Sequence, residues 1–207
     1  LRMLNGTASP HELAALAPHI APLPVSPQSR QTGDAQGLAL RAYSALPLAY
    51  VEYLAGRKKD ADDSLKDAAT ILLPTSLSSV RPYSGFAFEP ESPSHRLLTL
   101  KDWHFVQPLL EALGSTPAAD PVFLFLQGLC RERLGDPTGR NLQTRAAEAV
   151  AVDPDRCIFL GQVLLDAGEP DLAVTFAQDA IDDSAPWTPQ QRDGQPLAAQ
   201  IEQRRGH

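Results

Sequence analysis

The feature that most constrains this chain is a self-similarity in its C-terminal half. Asp120-Pro121 recurs as Asp153-Pro154, Gly128 as Gly161, Gly135 as Gly168, Asp136-Pro137 as Glu169-Pro170, and Ala147 as Ala180. Every pair is separated by 33 residues. A period of this size marks stacked supersecondary units that bury a core only against their neighbours. Each match has a physical reason. Asp caps a helix, and Pro takes the first helical position, where its missing N–H costs nothing. Gly128 and Gly161 fall inside helices, where Gly costs about 1 kcal/mol against Ala, so a partner helix is expected to approach too closely for a side chain. Gly135 and Gly168 follow helix ends, where a left-handed residue is wanted. Pro137 and Pro170 lie in or just after the turn, and Pro170 is placed to start the second helix.

These residues resemble the tetratricopeptide repeat (TPR), a helix pair of about 34 residues. Gln127-Gly128, Gly135-Asp136 and Ala149 to Asp153-Pro154 match one unit. Leu160-Gly161, Gly168-Glu169, Ala173 and Ala180 match the next. A degenerate third unit is Ala42 to Pro74, with Gly56 at the turn and Ala61 and Ala68 at the small positions. The resemblance covers about half the chain. It implies an all-α fold: a right-handed superhelix of antiparallel helix pairs, an α-solenoid, with a long loop excursion. There are departures. Arg131 and Cys157 stand where the family has large side chains, and the unit from Asp120 reads as carrying extra residues around Thr138 to Asn141. The unit from Asp153 reads as having a shortened first helix. A related but distinct α-solenoid is the other arrangement these departures allow.

The organisation expected along the chain has four parts. Residues 1–37 carry a short helix opened by the capping box Ser9-Pro10-His11-Glu12, then a Pro-rich connector. Residues 38–74 form a helical hairpin around Gly56, its second helix running from Asp60 to Leu73 and stopped by Pro74. Residues 75–119 hold a Ser- and Pro-rich segment with Tyr83, Phe86 and Phe88, either a packed excursion or a flexible loop. A helix opened by Thr99-Leu100-Lys101-Asp102 and kinked near Pro108 follows it. Residues 120–207 hold the two clear units and a terminal capping helix from Thr188 to about Arg204, which Gly194 and Pro196 are placed to break.

In the resembled family the first helices line a concave groove that takes a peptide or helix of a partner. The positions carried over are Tyr43, Tyr50 and Tyr53; Val122, Phe125, Leu129 and Glu132; and Asp155, Ile158, Gln162 and Leu165. The three tyrosines fall within about 80° on a helical wheel. They either face the groove or pack against the N-terminal helix or the aromatic segment; Phe125, Leu129 and Ile158 equally fit a core. The resemblance therefore implies a protein–protein scaffold or adaptor. The alternatives are a chaperone-like holder of a secreted or membrane-associated client, or a non-catalytic regulatory lobe of a larger enzyme.

Charge and composition narrow the partner. Formal net charge is −7, and Asp120 to Ala185 alone holds 5 Arg and no Lys against 12 Asp or Glu. That balance argues against a nucleic-acid backbone, and the acid is either a solvated face or a steering field for a cationic partner segment. Cys130 and Cys157 read as buried hydrophobes rather than a disulfide or metal pair. His95, Asp102 and His104 fit no ligand or acid–base spacing, and Asp60, Asp62 and Asp63 lack the Gly and Glu of a calcium loop. No phosphate loop or nucleophile elbow is present. The expectation is therefore no enzyme, no cofactor and no metal. No apolar run reaches the roughly 18 residues of a membrane span. The opening Leu1-Arg2-Met3 suits a fragment or processed form whose leader or anchor has been removed, so the compartment stays open, with a soluble cytoplasmic protein expected ahead of a periplasmic one.

Overall fold

The structure, a computed structural model, describes residues 45–46, 48–77, 102–115, 119–182 and 189–206; the side chains at 67, 70–77 and 189–193 lie outside the description. Every regular element among the described residues is an α-helix. Helical residues at 45–46 and 48–54 form α1. There follow α2 (Lys58–Leu77), α3 (Trp103–Gly114), α4 (Pro121–Arg133), α5 (Thr138–Ala151), α6 (Pro154–Asp166), α7 (Pro170–Asp182) and α8 (Pro189–Arg205). The chain divides into two units, one of Leu1–Leu97 with His104–Pro117, the other of Leu98–Trp103 with Ala118–His207. The expected N-terminal helix, the connector and residues 78–98 of the Ser- and Pro-rich segment lie outside the described residues.

In the first unit α1 buries Ala45, Leu46, Leu48, Ala49 and Val51, and α2 buries Ala61, Leu65, Ala68 and Ala69. The α2 set recurs at i, i+4, i+7 and i+8, one apolar stripe of an amphipathic helix. Glu52 is buried with them, and the Ser64 hydroxyl donates to its Oε2 at 2.9 Å. Two prolines behave differently from their usual effect. α2 runs through Pro74 to Leu77, where the sequence reading stopped it, and α3 continues past Pro108. A helix-interior Pro costs about 3 kcal/mol. In α3 the cost is offset just beyond it, where Leu109, Leu110 and Leu113 are all buried.

Three turns close by one arrangement. Gly56, Gly135 and Gly168 all have positive φ, at 77°, 87° and 74°. The Gly56 N–H donates to the Tyr53 carbonyl and the Arg57 N–H to that of Glu52. Gly135 and Asp136 donate likewise to Glu132 and Arg131, and Gly168 and Glu169 to Leu165 and Leu164. This nested pair is the Schellman motif, which satisfies the last carbonyls of the first helix and reverses the chain. The N-termini also match. The Asp120 carboxylate accepts from Val122 N–H at 2.9 Å, and that of Asp153 accepts from Asp155 and Arg156 N–H at 3.1 and 3.3 Å.

In the second unit α4 packs on α5, α6 on α7, and α8 on both α7 and α6. α4 buries eight of its 13 residues and α6 seven of its 13, whereas α5 buries four of 14. The helical glycines explain how α4 meets α5. A Cβ on Gly128 would lie 2.7 Å from the Gly139 carbonyl oxygen and 2.8 Å from the Gln143 nitrogen, so two backbones touch where they cross. Gly161 approaches the Ala173 carbonyl and the Ala177 nitrogen less closely, at 3.5 and 3.7 Å.

These approaches set the register. Gly139 takes the place against Gly128 that Ala173 takes against Gly161, and Ala146 is buried as Ala180 is. From Gly135 to Gly139 is one residue shorter than from Gly168 to Ala173 or from Gly56 to Ala61. The unit opening at Asp120 is therefore one residue short after its turn, where extra residues were expected. Ala147, matched to Ala180 in sequence, is only half-buried. α8 is also unbroken: Gly194 and Pro196 both lie inside it, with Gly194 set against Ala180 and Ile181.

Candidate partner-binding surface

Tyr43 lies outside the described residues. Tyr50 and Tyr53 are half-buried, and both rings lean on Phe105 of α3, with centroids 5.0 and 5.2 Å away. The stripe thus packs on α3, which neither sequence alternative named. Val122, Phe125, Leu129 and Leu165 are core residues, 0–4% exposed. The expected groove along α4 is corrected on this point. Phe176 of α7 meets Phe125 edge to face with centroids 5.0 Å apart, and Val122, Phe125 and Leu129 are turned into the core.

The other four positions reach the surface. Glu132 accepts from the Gln143 amide at 2.6 Å, with Arg140 4.0 Å from its other oxygen. Asp155 is exposed, and Ile158 and Gln162 are half-exposed. The Asp155 carboxylate has no cation at ion-pair distance among the described residues. Gln162 donates to the Asp166 carboxylate at 3.0 Å. Asp155, Ile158, Gln162 and Asp166 lie at i, i+3, i+7 and i+11 on α6, within about 80° of one another and along about 16 Å of helix. An acid, an apolar side chain, an amide and a second acid thus share one face.

Two ion-pair clusters set α6 beside α4. Arg156 reaches the N-cap carboxylates of both helices, Asp120 and Asp153, each at 3.4 Å. At the other end Arg133 grips Glu169 with both arms, at 3.1 and 2.6 Å. The helices therefore run parallel, tied at both ends. Sequence reading missed these residues, although Arg156 at i+3 from Asp153 and the match of Asp136 to Glu169 were visible. The acid excess is partly answered from α8 too, where Arg204 lies 3.4 Å from Asp166 and Arg205 2.9 Å from Asp171. At the α4–α5 turn Thr138 donates its hydroxyl and its N–H to Asp136, holding that carboxyl below its ordinary value of 3.8.

Among the described residues no three His, Cys, Asp or Glu side chains converge to hold a metal, and His104 is exposed. Cys130 and Cys157 are buried thiols that donate to the Trp103 and Val150 carbonyls, each at 3.4 Å. No helix among the described residues is long and apolar enough to cross a membrane. Compared with known protein families, curated proteins and solved structures, the chain matches none.

Proposed function

We propose that this chain is a TPR-like helical-hairpin module that acts as a scaffold or adaptor, holding a cationic peptide or helix of a partner protein on the exposed face of α6. The observation that carries this reading is the stripe Asp155, Ile158, Gln162 and Asp166, in which one apolar side chain sits between two carboxylates. A fitting segment presents an apolar residue to Ile158 and a Lys or Arg to Asp155. Rim ion pairs contribute about 0–1 kcal/mol each and mainly speed association, so the complex is expected to be weak and salt-sensitive. Within the second unit, the shared turns of the α4–α5 and α6–α7 hairpins and the parallel α4 and α6 support the TPR-like part of the reading.

A displayed peptide library panned against the wild-type chain tests it. Enriched peptides that carry basic residues around an apolar one, and that lose binding to Ile158→Glu and to Asp155→Arg but keep it for Val152→Ser, support the proposal. Val152 is the control because it is the exposed large hydrophobe away from the stripe, 77% exposed. Panning that enriches nothing, or peptides indifferent to both α6 variants, refutes it.

A further inference from the structure

α8 is held unlike the other helices of its unit. Over residues 194–205 only Gly194, Leu197 and Ile201 are buried. Leu197 lies over Gly161, where its Cδ2 would be 3.1 Å from an added Cβ, and Gly194 lies over Ala180 and Ile181. Two apolar side chains thus anchor a helix whose interior contains both Gly194 and Pro196, the two residues least suited to a helix. α6, which α8 covers, buries seven of its 13 residues. Among the described side chains the polar contacts of α8 cluster at its C-terminal end. Arg204 donates to the Leu165 carbonyl at 2.8 Å and approaches Asp166, and Arg205 donates to Asp171 at 2.9 Å. An open surface cleft of about 620 Å³ runs along this edge of α8, lined by Gln200, Gln203 and Arg204 together with Leu165, Asp166 and Pro170. Few buried apolar contacts, exposed ion pairs and an open cleft alongside mark a segment that opens ahead of its surroundings.

We propose that α8 is a detachable strap, held at its C-terminal end by salt-sensitive ion pairs, which opens while the α6–α7 hairpin stays folded. This goes beyond partner binding on α6, since the face uncovered is that of Gly161, Ala177 and Ala180. Opening also removes the Arg204 donor from the α6 C-terminus and takes that guanidinium away from Asp166, at the end of the proposed binding stripe.

Hydrogen exchange of the full chain, read by mass spectrometry at low and high salt, tests the strap. The α8 amides are expected to exchange at least about tenfold faster than the slowest α6 and α7 amides, with the gap widening in high salt. The double variant Arg204→Glu, Arg205→Glu is expected to widen it at low salt and to abolish the salt effect. Leu197→Ala is expected to speed α8 while α6 and α7 keep their protection. Equal exchange in α8, α6 and α7, or a loss in all three by one factor in either variant, would overturn the proposal.

Discussion

Replacing Gly128 by Ala tests the packing of the second unit most directly, because two opposing effects have separate sources. Ala is favoured over Gly in a helix interior by about 1 kcal/mol. Against that, the new Cβ would stand 2.7 Å from the Gly139 oxygen, 2.8 Å from the Gln143 nitrogen and 2.9 Å from Gln143 Cγ. Two of these atoms are backbone, so relief requires α4 and α5 to separate. Overpacking of this kind costs about 1–3 kcal/mol, and a backbone collision belongs at the upper end. The net expectation is a loss of about 2 kcal/mol, or a fall in Tm of about 4–8 °C for a chain of this length. Gly161→Ala is the matched control. Its nearest neighbour is the Leu197 methyl at 3.1 Å, the tip of a flexible side chain, and the backbone atoms of α7 are at 3.5 Å or more. That variant is expected to be as stable as wild type or slightly more so. Urea unfolding of both variants, followed by far-UV circular dichroism, decides the matter. Equal midpoints for the two, or a Gly128→Ala protein as stable as wild type, would refute the claim that the α4–α5 crossing is set by backbone contact.

Three further outcomes are expected. Gly56→Ala, Gly135→Ala and Gly168→Ala each lose about 1 kcal/mol in urea unfolding from their left-handed backbone alone, since an added Cβ at Gly56 or Gly135 meets nothing within 4 Å. Asp120→Ala loses about 1–2 kcal/mol as a helix cap, and a double-mutant cycle with Arg156→Met gives a favourable coupling that shrinks in high salt. The Asp136 carboxyl titrates below 3.8 by NMR, and Thr138→Val moves it upward; because the folded state holds the lowered value, its stabilisation is present above 3.8 and disappears as pH falls through the folded midpoint.

The turns and caps were legible because their causes are local. A left-handed residue after a helix end, or an Asp before a Pro, depends on a few neighbouring dihedrals, and Gly56, Gly135, Gly168, Asp120 and Asp153 all sit as the spacing implied. The register of α5 was not legible. Its packing equivalents are Gly139 and Ala146, while the sequence offered Ala147 as a better match to Ala180. A small residue appears by chance often enough to hide a one-residue shift, and only the contact against Gly128 reveals it. The prolines misled for a related reason. Propensity is a local cost, and Leu197 and Ile201 beyond Pro196 supply tertiary burial that a local reading does not count.

The burial of Val122, Phe125 and Leu129 on α4 escaped a sequence reading through the same kind of non-local fact. Phe176 follows Phe125 by 51 residues and meets its ring edge to face, and no spacing rule connects them. Yet the sequence already separated the two helices by composition. At three positions related by the 33-residue offset α4 carries Val122, Phe125 and Leu129, whereas α6 carries Asp155, Ile158 and Gln162. The first three are buried and the second three reach solvent. The repeat fixes where a side chain stands on its helix, but its polarity fixes whether that position faces a neighbour or water. A surface carried over from a resemblance should therefore be kept only where the polarity of the residue agrees with exposure. By that criterion α6 holds the surface and α4 holds the core.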